Sequence, residues 1–177
     1  PEKLRVGVFQ KPRNFPACIR FSNARKQNDS KGGAHGMAIK LLGVEGNKVL
    51  KEEKDEKTQD FVMMDHPVFF IRNVQDYVEF FEIQEKSPLQ FFFSSLNPFK
   101  WRLHEFKILM SMQRKKTVSP LENQYWSTTP YQLGLETIKF SVKPSPANNS
   151  GRSVLNTKNY LREAMVEHLK NKEACFD

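Results

Sequence analysis

At 177 residues with 38% hydrophobic side chains, the chain is long enough to bury a substantial core as one domain, and it has no apolar run near membrane-spanning length. Its 28 Lys and Arg against 20 Asp and Glu leave a formal charge of +8, which favours anionic partners, yet the basic residues are scattered and follow no nucleic-acid recognition motif. Cys18 and Cys175 lie far apart with no Cys-x-x-Cys pair, which argues against a zinc site or a disulfide scaffold and suits reduced thiols in a cytoplasmic setting.

In chain order, the alternation of Leu4, Val6 and Val8 predicts an edge strand, followed by a turn at Gln10-Lys-Pro-Arg13. Over residues 17–22, Ile19 and Phe21 fall on one face of a strand, with Cys18, Arg20 and Ser22 on the other. A strand-borne Arg20 needs an anionic partner, Asp29 or Asp65 on the residues alone, because an unpaired buried guanidinium is costly. Residues 23–36 are polar, with Gly32-Gly33 marking a loop. It is no phosphate loop, since it lacks the Gly-Lys-Ser/Thr ending and leads into a strand over residues 37–42. The Lys- and Glu-rich stretch 44–57 reads as an exposed, mobile hairpin tip.

Phe61, Val62, Met63 and Met64 form a short apolar strand that Pro67 ends. After Arg72 the period changes: Val74, Tyr77, Val78 and Phe81 make one helical face, with Asn73 as N-cap and Asp76 at the capping-box position. Phe69, Phe70, Tyr77, Phe80 and Phe81 concentrate aromatic bulk around this corner. Pro88 then precedes Phe91-Phe-Phe93, a run expected to be covered by another element or subunit. A long helix is predicted over 99–116 on Phe99, Leu103, Phe106, Leu109 and Met110, ending in Arg114-Lys-Lys116. Residues 120–134 read as a loop carrying Tyr125, Trp126 and Tyr131, 136–142 as a half-exposed strand, and 144–158 as a Pro-, Asn- and Ser-rich connection. Tyr160 opens an amphipathic helix with Leu161, Ala164, Met165 and Leu169 on its apolar face. The sum is an α+β protein, with antiparallel strands early and helices later.

His35, His66, His104 and His168 show no metal-ligand spacing, and there is no Gly-x-Ser-x-Gly elbow. Three segments do carry a resemblance. Asp65-His-Pro-Val-Phe-Phe-Ile-Arg-Asn73 resembles the Asn-Thr-Pro-Val-Phe-Phe-Ile-Arg-Asp segment of haem catalases. Pro16-Ala-Cys-Ile-Arg-Phe-Ser22 resembles their Ile-Ala-Val-Arg-Phe-Ser strand, and His35-Gly-Met-Ala-Ile-Lys40 their Arg-Gly-Phe-Ala-Val-Lys, with Gly46-Asn47 after it. Downstream, Leu96-Asn-Pro-Phe-Lys-Trp-Arg-Leu103, Gln124-Tyr-Trp-Ser127 and Glu173-Ala-Cys-Phe176 resemble the smaller catalase-related haem proteins.

The resemblance implies the antiparallel β-barrel portion of the catalase-like fold with appended helices, residues 1–177 being one domain cut from the centre of a longer chain. It implies haem b as cofactor, and hydrogen peroxide or an organic (fatty-acid) hydroperoxide as substrate. Arg20 matches the propionate-binding arginine, and Ser22 the serine that orients the distal histidine. Ala24 stands where the family has a valine over the distal cavity. Phe69 and Tyr77 match two aromatics packed against the haem. The distal histidine is expected before residue 1 and the axial tyrosine after residue 177. Met64 replaces the distal asparagine and donates no hydrogen bond, with His66 as the polar side chain expected to substitute for it. A homo-oligomer is the expected assembly, with the Phe91-Phe-Phe93 run as interface. A catalase-fold module without haem, in a binding or structural role, is the alternative that Met64 raises. A basic nucleic-acid-binding domain ranks last.

Overall fold

The computed structural model describes residues 2–24, 28–84, 87–153 and 157–177. The parts of the loops predicted over 23–36, 85–97 and 144–158 that fall between these spans lie outside the described residues. The framework is three long strands, β1 (Ala17–Asn23), β2 (His35–Leu42) and β3 (Thr58–Met64), paired antiparallel in register with Ser22 opposite Gly36 and Gly36 opposite Met64. Two short strands, β4 (Tyr125–Ser127) and β7 (Ser141–Val142), extend the sheet in the order β1-β2-β3-β4-β7. Between them β5 (Tyr131–Leu133) and β6 (Glu136–Ile138) form a separate hairpin. The C-terminal tail lies beside the chain that leaves β7, Lys143 and Asp177 exchanging two backbone hydrogen bonds of 2.8 Å.

Successive side chains of a strand point to opposite faces, so the sheet carries two cores. On one face Met37, Met63 and Tyr125 are buried with Phe21, Ile39, Phe61 and Phe140 around them. On the other, Met64 joins Phe70 of the loop after β3, Phe91 and Phe92 of α2 (Pro88–Phe92) and Met112 of α3 (Leu103–Arg114), with Phe80 of α1 (Val74–Gln84) packed against them. A fourth helix, α4 (Tyr160–Asn171), buries Tyr160, Leu161 and Ala164. No described helix is long and apolar enough to cross a membrane.

The α+β reading survives, but the barrel does not. The described strands form an open sheet plus a hairpin, with β1 pairing to β2 alone and β7 to β4 alone. Closure requires strands long enough to tilt and stagger around an axis, and β4 and β7, at 3 and 2 residues, are too short to return to β1. Other expectations shift locally. The predicted edge strand at Leu4, Val6 and Val8 is two single 3₁₀ turns, Glu2–Leu4 and Gly7–Phe9. The helix expected from residue 99 starts at Leu103, because Pro98–Lys100 is a separate 3₁₀ turn, and Phe99 is 99% exposed. The strand predicted over 136–142 breaks into β6 and β7, and the loop before it contains β4 and β5. Phe91 and Phe92, at 0% and 1% exposure, are covered within their own chain and not by a second subunit.

Candidate functional site

The side chains singled out by the resemblance sit mostly on the helix-covered face of the sheet. Ser22, Gly36 and Met64 stand in one row across β1, β2 and β3. Gly36 makes that row possible: a Cβ there would lie 2.6 Å from Ser22 Oγ. With no side chain at Gly36, the Ser22 hydroxyl lies close against the sheet. Phe69 and Phe70, ring centroids 5.0 Å apart, face this row after the chain turns at Pro67. Leu109, Met112 and Gln113 of α3 add the opposite wall. Together with Ala24 they enclose a largely apolar cleft of about 400 Å³, within the size range of small-ligand sites.

The structure thus brings Ser22, Ala24 and Phe69 to one cleft, with Met64 buried in its wall. Arg20 lies two residues before Ser22 on the same face, exposed, aligned with Ala38 and Val62. It pairs with neither Asp29 nor Asp65. Asp29 instead accepts from Asn23 Nδ2 at 2.9 Å and from the Leu161 amide at 3.0 Å, and Asp65 is bound to His35. Tyr77 lies outside the cleft, 44% exposed on α1 with its ring 4.6 Å from that of Phe81. His66 also turns elsewhere, its Nδ1 donating to the Val68 carbonyl at 2.8 Å and its Nε2 lying 3.4 Å from Ser111 Oγ.

A haem fits these residues in part. Phe69, Ala24 and the apolar wall suit the face of a macrocycle, and the exposed Arg20 suits a propionate. Imidazole and thioether groups in the lining come from His35, Met63, Met64 and Met112. The His35 ring is held by Asp65 on the other face of the sheet, in line with Met37. The cleft therefore offers one apolar wall against which a flat ring could lie, and among the described residues no tyrosine lines it.

Sequence reasoning missed the most elaborate polar cluster, which braces the end of β2 and β3. His35 is 4% exposed and Asp65 2%. One Asp65 oxygen accepts the His35 amide at 2.8 Å and the other accepts the ring Nδ1–H at 2.8 Å, which fixes the tautomer because a carboxylate only accepts. Lys115 Nζ lies 3.2 Å from Asp65 Oδ2 and donates to its carbonyl at 2.7 Å, while Asn123 Nδ2 donates to Oδ2 at 3.3 Å. Burial pushes the Asp65 carboxyl up and is the largest single influence. The His35 hydrogen bonds and the Lys115 charge outweigh it, holding the group below the usual carboxylate range. Tyr125 behaves oppositely: burial first, then the Asp65 charge, push its phenol up, and its hydroxyl donates to the Pro120 carbonyl at 2.8 Å. Nothing in the local sequence marks this cluster, whose two central members are 30 residues apart.

Comparison of the chain with family models, with curated proteins and with solved structures finds no match.

Proposed function

We propose that this chain belongs to a catalase-related haem protein acting on hydrogen peroxide or an organic hydroperoxide. The observation that carries the reading is the convergence of Ser22, Ala24 and Phe69, drawn from two distant segments, on one apolar cleft with Arg20 further along the same sheet face. When bound, haem supplies the redox-active iron at which a peroxide O–O bond is cleaved. Phe69, Met64 and Met112 exclude water from the cleft. Ser22 Oγ offers a hydrogen-bonding group to an imidazole from outside these residues, and Arg20 offers a charge-assisted hydrogen bond to a carboxylate. Met64 presents a thioether, a weak acceptor with no donor, so the cleft favours a bulky organic hydroperoxide over hydrogen peroxide. The exposed thiols of Cys18 and Cys175, unpaired in the structure, suit a cytoplasmic setting.

An absorption titration of the intact natural protein with ferric haem tests the reading. Saturable binding is expected, abolished by Ala24→Trp and weakened about 5-fold by Arg20→Ala, the scale of one exposed charge pair of about 1 kcal/mol. Binding that ignores both substitutions, or no saturable binding, would sink the haem reading. The haem-free binding or structural module would then stand, a reading favoured by Met64 at the place of the distal asparagine.

A further inference from the structure

The opposite face of the sheet carries a second concavity. The N-terminal segment is tied to β2 where the Leu42 amide donates to the Pro16 carbonyl at 2.8 Å. It crosses the ends of β2 and β3, with the Phe9 ring 6.2 Å from Phe61 in an edge-on contact. Between segment and sheet runs a groove of about 970 Å³. Its floor is Val8, Phe9, Leu41 and Phe61, and its rim carries Arg5, Lys11 and Arg13. No carboxylate lines it. In the adjoining hollow Glu45 is bound to Lys57 at 2.9 Å. None of the three rim cations is ion-paired to a described residue, and Arg13 sits 5.1 Å over the Phe15 ring.

We propose that this groove binds a long-chain carboxylate. The chain would lie on the Val8, Phe9, Leu41 and Phe61 floor, where area and not shape is read, and the carboxylate among Arg5, Lys11 and Arg13. Charge complementarity selects the anion: three clustered cations repel one another, and a single carboxylate relieves that repulsion while satisfying their donors. The apolar floor selects the chain, each buried methylene contributing about 0.8 kcal/mol. A compact polyanion would leave that floor wet. The groove lies on the sheet face away from Ser22 and Phe69, so its ligand is independent of the haem reading.

The test is calorimetric titration of the chain with decanoate, 1-decanol, acetate and inorganic phosphate, each as the free compound. Decanoate should bind, 1-decanol at least about 10-fold more weakly, and acetate and phosphate not measurably. The triple variant Arg5→Gln, Lys11→Gln, Arg13→Gln should bind decanoate no better than decanol, and added salt should weaken only the unmutated chain. Phe9→Ser should weaken decanoate and decanol alike, whereas Phe69→Ala should change neither. Circular dichroism would establish that each variant is folded. Undiminished decanoate binding by the triple variant, phosphate binding in preference to decanoate, or capture only by phosphatidylglycerol vesicles would each overturn the proposal.

Discussion

Asp65 is the residue whose loss the interior would feel most. Its carboxylate satisfies the His35 backbone, the His35 ring, Lys115 and Asn123 at once. Asp65→Ala would strand the buried His35 amide and ring N–H and leave the Lys115 ammonium only the main-chain carbonyl, at a cost of about 3–5 kcal/mol. The folded-state carboxyl is held below its ordinary value. Its contribution is therefore complete above the unfolded value of about 4 and is lost as pH falls through the folded one. Urea unfolding from pH 7 to pH 3 should show the unmutated chain losing stability below about pH 4 more steeply than Asp65→Asn. Equal slopes would mean that the cluster is not what acid breaks. Sequence marked Asp65 only as one candidate partner for Arg20. Its true partner was out of reach because β2 and β3 must first pair to bring His35 beside it. Gly32 teaches a similar lesson. It was legible as a loop glycine, but the reason for glycine, φ of +65° with the Lys115 carbonyl 2.9 Å from where a Cβ would sit, exists only in the folded chain.

At the scale of elements, periodicity located α1 and α4 but misjudged which side of α1 is buried. Asn73 caps α1 as expected, its Oδ1 accepting the Asp76 amide at 2.8 Å. Yet the Val74, Tyr77, Val78 and Phe81 stripe is exposed. Apolar residues occupy most of the circumference of α1, so the longest stripe held no privileged claim. Phe80 decides the matter by contacting the rings of Phe70, Phe91 and Phe92. Arg102 holds the same side, bound to Glu79 at 2.7 Å and stacked 4.1 Å over Phe91. The C-terminal tail depends on a single side chain of another kind. Asn148, 1% exposed, donates to the Leu121 and Cys175 carbonyls at 2.9 and 2.8 Å and accepts the Cys175 amide at 3.0 Å. Asn148→Ala leaves these groups unpaired, costing about 2 kcal/mol, which lowers Tm by about 4–8 °C in a chain of this size. Hydrogen exchange should rise first in residues 175–177 and 143–145. Unchanged protection there would show that the tail is held by its strand-like pairing alone.

For the whole molecule, the open sheet separates two hydrophobic cores, both of which draw on β3. Adjacent residues, Met63 and Met64, belong to different cores because alternation sends them to opposite faces. This part of the architecture was legible only in part: the run Phe61 to Met64 reads as an apolar strand, and Met63 and Met64 are buried on its two faces, but Val62 stays 48% exposed. What supplies the cover was not legible, since β4 and β7 are too short to leave a periodic trace and the tail joins from the far end of the chain. The separation has a measurable consequence. Met63→Ala and Phe92→Ala each open a cavity, costing about 2–5 and 3–5 kcal/mol respectively. The two sites share no packing partner and lie on opposite faces of the sheet, so their costs should add to within about 0.5 kcal/mol in urea unfolding at pH 7. Met64→Ala shares a cluster with Phe92, and its double variant with Phe92→Ala should depart from additivity by about 1 kcal/mol or more, since the second truncation enlarges a cavity already open. The contrast between the two doubles is what decides. If the pair on opposite faces departs from additivity as far as the pair within one cluster, then β3 transmits packing strain between its faces, and the two cores are one cooperative body.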